Sequence, residues 1–119
     1  MLAIESLSVC VKNFQLKNIN INLQEGEILG IVGESGSGKT LLSYLMLRLI
    51  SHYEVESGRI IFLGKNLLEL PQSQMQALRG KEISYIFQEP LSALNPLHKI
   101  KKQILAECTK PEFYTLAGW

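Results

Sequence analysis

The chain has 119 residues, enough for one domain with a core and no more. Hydrophobic residues at 46% and charged residues at 19% describe a globular sequence and exclude a disordered one. A formal net charge of +1 gives no electrostatic footprint for nucleic acid or an anionic membrane surface, so no nucleic-acid partner is expected.

Residues 2–11 alternate loosely between apolar and polar, and Ile19, Ile21 and Leu23 alternate strictly with Asn18, Asn20 and Asn22. Two half-buried strands of an antiparallel pair are expected there, joined through Lys12 and Asn13. Gln24-Glu25-Gly26-Glu27 reads as a turn. Ile28-Leu29-Gly30-Ile31-Val32 then reads as a strand buried on both faces, as in parallel sheets.

Gly33-Glu34-Ser35-Gly36-Ser37-Gly38-Lys39-Thr40 fits the phosphate-binding pattern G-x-x-x-x-G-K-[ST] at every fixed position. Backbone N–H groups of such a loop and the positive end of the following helix converge on one anionic group. Gly33, Gly36 and Gly38 permit close backbone approach. Lys39 brings a point charge to β and γ phosphates, and Thr40 offers Mg²⁺ a hard oxygen. The competing reading is a flexible glycine turn opening an ordinary helix; the strand before the octet and the helical spacing of Leu41, Leu42, Leu45, Met46 and Leu49 after it weigh against that.

The helix is expected over residues 40–50, followed by an irregular segment over 51–57. Gly58 then opens a strand, Arg59-Ile60-Ile61-Phe62-Leu63, that ends in the turn Gly64-Lys65-Asn66. A short helix carries Pro71 in its first turn and ends at Gly80. Glu82-Ile83-Ser84-Tyr85-Ile86-Phe87 reads as a second core strand, stopped by Pro90. Ile100, Ile104 and Cys108 suggest an amphipathic helix. Cys10 and Cys108 show no metal or disulfide spacing and are expected as reduced, packed thiols, and His52 and His98 lack ligand neighbours. No secretory leader is expected near Glu5, and the longest apolar stretch, residues 41–50, is too short to span a bilayer.

The octet together with Tyr85-Ile86-Phe87-Gln88-Glu89-Pro90-Leu91-Ser92-Ala93-Leu94-Asn95-Pro96 resembles the ATP-binding subunit of ABC transporters, in the subgroup that powers uptake of dipeptides, oligopeptides or nickel. Ser57-Gly58-Arg59-Ile60 and Leu78-Arg79-Gly80-Lys81-Glu82-Ile83 match that subgroup's order and spacing. The resemblance implies an α/β P-loop NTPase fold, with an antiparallel β layer beside a partial, truncated parallel core sheet. Residues 1–107 correspond to the N-terminal part of the ATP-binding domain, and residues 108–119 are an unmatched tail, as in a truncated or frame-shifted product.

The implied cofactors are ATP and Mg²⁺. Gly33, Glu34, Ser35, Gly36, Ser37, Gly38, Lys39 and Thr40 would hold the phosphates, Thr40 and Gln88 the metal, and Phe14 is the candidate to stack on adenine, the alternative being an ordinary core side chain. Lys39 and Gln88 are the implied catalytic residues. A glutamine at the end of a core strand also suits that place physically, since its amide donates and accepts without changing charge. Implied partners are permease subunits, which Leu91, Leu94 and Pro96 would contact, and a second ATP-binding subunit in a homo- or heterodimer. The implied location is peripheral, on the cytoplasmic face of the membrane.

The sequence contains no Leu-Ser-Gly-Gly-Gln signature, second acidic motif or switch histidine. ATP hydrolysis driving import is therefore implied for the complete family domain, while this chain alone is expected to be inactive. A soluble ABC-type ATPase without a transport role and a non-catalytic nucleotide-binding fragment are the alternative expectations.

Overall fold

A computed structural model describes residues 1–89, 92 and 94–107. The expected tail, 108–119, lies outside the described residues, as do Cys108, Pro90, Leu91 and Ala93. The chain divides into two compact units, Met1–Arg79 and Gly80–Trp119.

The first unit is built on a four-stranded sheet in the order β2-β1-β3-β4, from β1 (Leu2–Val11), β2 (Phe14–Leu23), β3 (Glu54–Phe62) and β4 (Lys65–Asn66). Among the described residues every ladder is antiparallel. Alternation in β2 works as expected: Ile19, Ile21 and Leu23 are half-buried while the three asparagines face solvent. β1 is hydrogen-bonded on both sides and supplies Ile4, Leu7 and Val9 to the core. Two helices, α1 (Lys39–Met46) and α2 (Gln72–Leu78), complete the unit. They add Leu42, Leu45 and Met75 to a core that includes Leu16, Leu47, Ile60 and Leu67. Each such side chain contributes about 1.5–3 kcal/mol on burial.

A bulge interrupts β1 on both edges between Glu5 and Ser8, with Ser6 at φ 45°. Gly58 of β3 lies against it at φ 84°, and a β-carbon there would sit 2.5 Å from Glu5 O, Ser6 O and Leu7 Cα. Only glycine fits that approach. The bulge's polar groups find partners across the sheet: Ser6 N–H donates to Asn20 Oδ1 (2.8 Å) and Ser57 Oγ donates to Ser6 O (3.2 Å). Asn18 N–H donates to Ser8 Oγ at 3.0 Å.

Three sequence expectations are corrected here. Residues 28–32 are not a strand: no ladder includes them, and Ile28 and Val32 are 101% and 94% exposed. An apolar run becomes a strand only where a neighbouring strand supplies hydrogen-bond partners, and none of β1 to β4 pairs with this run. The partial parallel core expected from that run is thus absent among the described residues. β3 begins at Glu54 rather than after Gly58, because the ladder to β1 extends through Val55 and Glu54. α1 stops at Met46, four residues short of the expected end, because Arg48 turns into the left-handed region at φ 50°.

In the second unit, Gly80 N–H donates to Ile83 O at 2.8 Å. Residues 84–87 are irregular rather than the expected core strand; Ile86 is 90% exposed, and the rings of Tyr85 and Phe87 meet edge to face at 4.8 Å. Helix α3 spans Ile100–Glu107. Gln103 ties the preceding loop to it, accepting from Asn95 N–H (2.8 Å) and donating to Asn95 O and His98 O, both at 2.9 Å. No helix among the described residues is long and apolar enough to cross a membrane.

Candidate phosphate-binding site

The glycine loop leaves residues 28–32 and enters α1 at Lys39. Gly36 and Gly38 both take positive φ, 80° and 100°, the left-handed backbone that favours glycine. Ser37 N–H donates to Glu34 O (3.1 Å), closing a turn, and Leu42 N–H donates to Gly38 O (2.9 Å), starting the helix from the loop's last glycine. Gly38 is the N-cap residue of α1 and has no side chain to occupy the space in front of the helix, so an anion can approach the first-turn N–H groups directly.

Lys39 folds back over the loop. Its Nζ donates to Gly33 O (2.6 Å), Glu34 O (2.8 Å) and Ser37 Oγ (3.1 Å). Three oxygens of the octet thus hold one ammonium group and occupy all three of its N–H donors. Thr40 is exposed on the first turn, and its carbonyl accepts from Ser43 Oγ at 2.8 Å. Glu34, Ser35 and Ser37 are exposed as well.

Two tight approaches define the walls. A β-carbon at Gly33 would lie 2.8 Å from Ser37 Oγ, and one at Gly38 would lie 2.7 Å from Leu16 Cδ2 and 2.9 Å from Phe14 Cε1. Phe14, at the start of β2 and 36% exposed, therefore stands beside the loop. The residues present fit a polyphosphate: a cradle that side chains would fill, a held cation, and a helix start behind it. For Mg²⁺, the exposed Thr40 hydroxyl is an oxygen that could serve as a ligand; among the described residues no cluster of three His, Cys, Asp or Glu side chains could hold a metal by itself.

Gln88 belongs to the second unit, where it is exposed at a bend. Leu94 is half-buried and Pro96 exposed. Sequence reasoning missed Leu16 as the second wall behind Gly38. It also missed Arg48 and Arg79, which hold the far end of α1. No spacing in the sequence relates Arg79 to a helix that ends at Met46.

A family model described as "ABC transporter" matches residues 16–116. The chain is 40% identical over 119 residues to the oligopeptide transport ATP-binding protein OppD of Bacillus subtilis, an alignment covering 94% of this chain and 33% of that protein. It is 42% identical over 90 residues to the dipeptide transport ATP-binding protein DppD of Lactococcus lactis, covering 75% and 26%. It is 39% identical over 111 residues to the peptidoglycan transport ATP-binding protein YejF of Agrobacterium fabrum, covering 87% and 20%. The chain spans a third or less of the length of these relatives.

Proposed function

Because the chain belongs to the ABC transporter family, and with it to the P-loop NTPases, we propose that residues 33–40 bind the phosphates of ATP on behalf of a peptide importer. The observation that carries this is the Lys39 ammonium, fixed by Gly33 O, Glu34 O and Ser37 Oγ at the mouth of a helix whose N-cap is a glycine. The names of the three relatives, oligopeptide, dipeptide and peptidoglycan transport, favour peptide cargo over nickel.

Lys39 would exchange its loop acceptors for phosphate oxygens and neutralise them, while the first-turn N–H groups of α1 and the loop backbone would bind the remaining ones. The Thr40 hydroxyl would offer Mg²⁺ an oxygen ligand, Gln88 remains a second candidate on its own unit, and the ion would supply charge neutralisation for the phosphates. Phe14, beside Gly38, offers a flat apolar surface for adenine. Hydrolysis, the permease, the paired ATP-binding subunit and a peripheral seat at the cytoplasmic membrane face belong to a longer protein of this family.

Positioning and charge around the γ-phosphate supply nearly all of phosphoryl-transfer catalysis. Gly33 through Thr40 and Gln88 provide only part of that environment, so this chain binds Mg·ATP without appreciable turnover. Calorimetric titration with Mg·ATP, beside a phosphate-release assay, tests both statements. The expected result is binding that weakens tenfold or more in Lys39→Ala, with no phosphate release. Binding indifferent to Lys39→Ala would overturn the assignment of the loop, and Lys39-dependent turnover would overturn the division of labour.

A further inference from the structure

We propose that Arg79 and Arg48 are positioning residues for the phosphate loop: their guanidinium groups fix the rear of α1 so that Lys39 and Thr40, on its first turn, are held in one place. The inference rests on the nucleotide-binding reading above.

α1 has eight residues and spans about 12 Å, short enough to act as one rigid piece. Its front end carries Lys39 and Thr40. At its rear end, Arg48 N–H donates to Leu45 O (3.0 Å) and Leu49 N–H donates to Tyr44 O (2.9 Å). Those two bonds are the helix-ending pattern that normally places a glycine in the left-handed position. Here that position is Arg48, at φ 50°. A side chain is disfavoured in that conformation and persists where something else is gained from it.

What is gained is reach. Arg48 Nη1 donates to Leu70 O, just ahead of α2. From the other end of α2, Arg79 Nε donates to Leu47 O (2.8 Å) and Arg79 Nη2 donates to Arg48 O (2.9 Å). The last carbonyls of a helix have no partners of their own, and cations favour the negative end of its dipole. The two half-buried arginines thus cross-brace α1 to both ends of α2. A cavity of about 440 Å³ lies alongside, lined by Arg48, Leu49, Ile50, Ser51, Tyr53 and Gln72. It leaves the segment that follows α1, from Arg48 onward, room to shift when the brace is cut. Any shift there is transmitted along a rigid eight-residue helix to Lys39 and Thr40.

The test is equilibrium binding of Mg·ATP and of AMP to the full chain, unmodified and as Arg79→Met, Arg79→Lys and Arg79→Gln. Loss of folded protein weakens both ligands by the same factor and leaves their affinity ratio unchanged. Displaced phosphate contacts weaken Mg·ATP selectively. Arg79→Met is expected to reduce the preference for Mg·ATP over AMP on the order of five- to tenfold. Arg79→Lys, which keeps one charged donor, is expected to recover most of it. If Arg79→Met does not fold, Arg79→Gln carries the same comparison. An unchanged ratio, in variants of a chain that does bind Mg·ATP, overturns this inference alone. Failure of the unmodified chain to bind Mg·ATP overturns the nucleotide-binding reading and the inference with it.

Discussion

The ring of Phe14 and the α-carbon of Gly38 adjoin so closely that a β-carbon on residue 38 would sit 2.9 Å from Phe14 Cε1. The first residue of β2 and the last glycine of the loop are therefore one packing unit. Gly38→Ala combines overpacking with a side chain at φ 100° and is expected to cost about 2–4 kcal/mol in urea denaturation. Removing the ring in Gly38→Ala/Phe14→Ala should recover only the part due to the ring, leaving the approach to Leu16 Cδ2 at 2.7 Å and the backbone part. Strictly additive effects of the two substitutions would show that the contact does not couple them.

Gly33 presents the opposite case. The group nearest its missing side chain is the hydroxyl of Ser37, which can rotate away, and φ at Gly33 is not positive. Gly33→Ala is expected to change stability by less than about 1 kcal/mol. It displaces an acceptor of Lys39, however, so Mg·ATP affinity should fall several-fold. Calorimetry and thermal melting on the same sample distinguish this from a variant that has merely unfolded.

At Gly58 the obstruction is backbone on three sides, and none of it can rotate. Gly58→Ala is expected to lose at least about 3 kcal/mol, or to prevent folding, because both the bulge in β1 and the positive φ must change. A chemical melt within about 0.5 kcal/mol of the parent would contradict the described register between β1 and β3.

Arg48 is tested by comparing two substitutions. Both Arg48→Gly and Arg48→Ala lose the bond to Leu70 O, but only glycine relieves the left-handed backbone. The glycine variant should be the more stable of the two by about 1 kcal/mol. Equal midpoints in urea would mean that residue 48 does not hold φ 50° in solution.

The glycine-rich octet and the helix after it were legible because every fixed position of the motif is local in sequence, and β2 was legible because its asparagines and aliphatic residues alternate. The rest depended on partners far along the chain. Glu54, Val55, Glu56 and Ser57 are all exposed, so no burial period announces the first half of β3; only pairing with β1 makes it a strand. Residues 28–32 present the reverse, an apolar run with no ladder. Composition sets the disposition to pair, and pairing itself needs a neighbour. Arg79 was invisible for the same reason, since its acceptors, Leu47 O and Arg48 O, lie more than 30 residues earlier.

The sheet order β2-β1-β3-β4 also governs how the first unit forms. β1 meets β2 through a tight turn but meets β3 only after the chain has passed through the whole phosphate loop and α1, so that Ile4 faces Ile60. The hairpin is a local event, whereas the second ladder must first close a long loop against its entropy. Residues 33–40 lie inside that loop. If they bind a nucleotide as proposed, a ligand that orders them would shorten the span still to be closed, and ligand capture would then favour completion of the sheet.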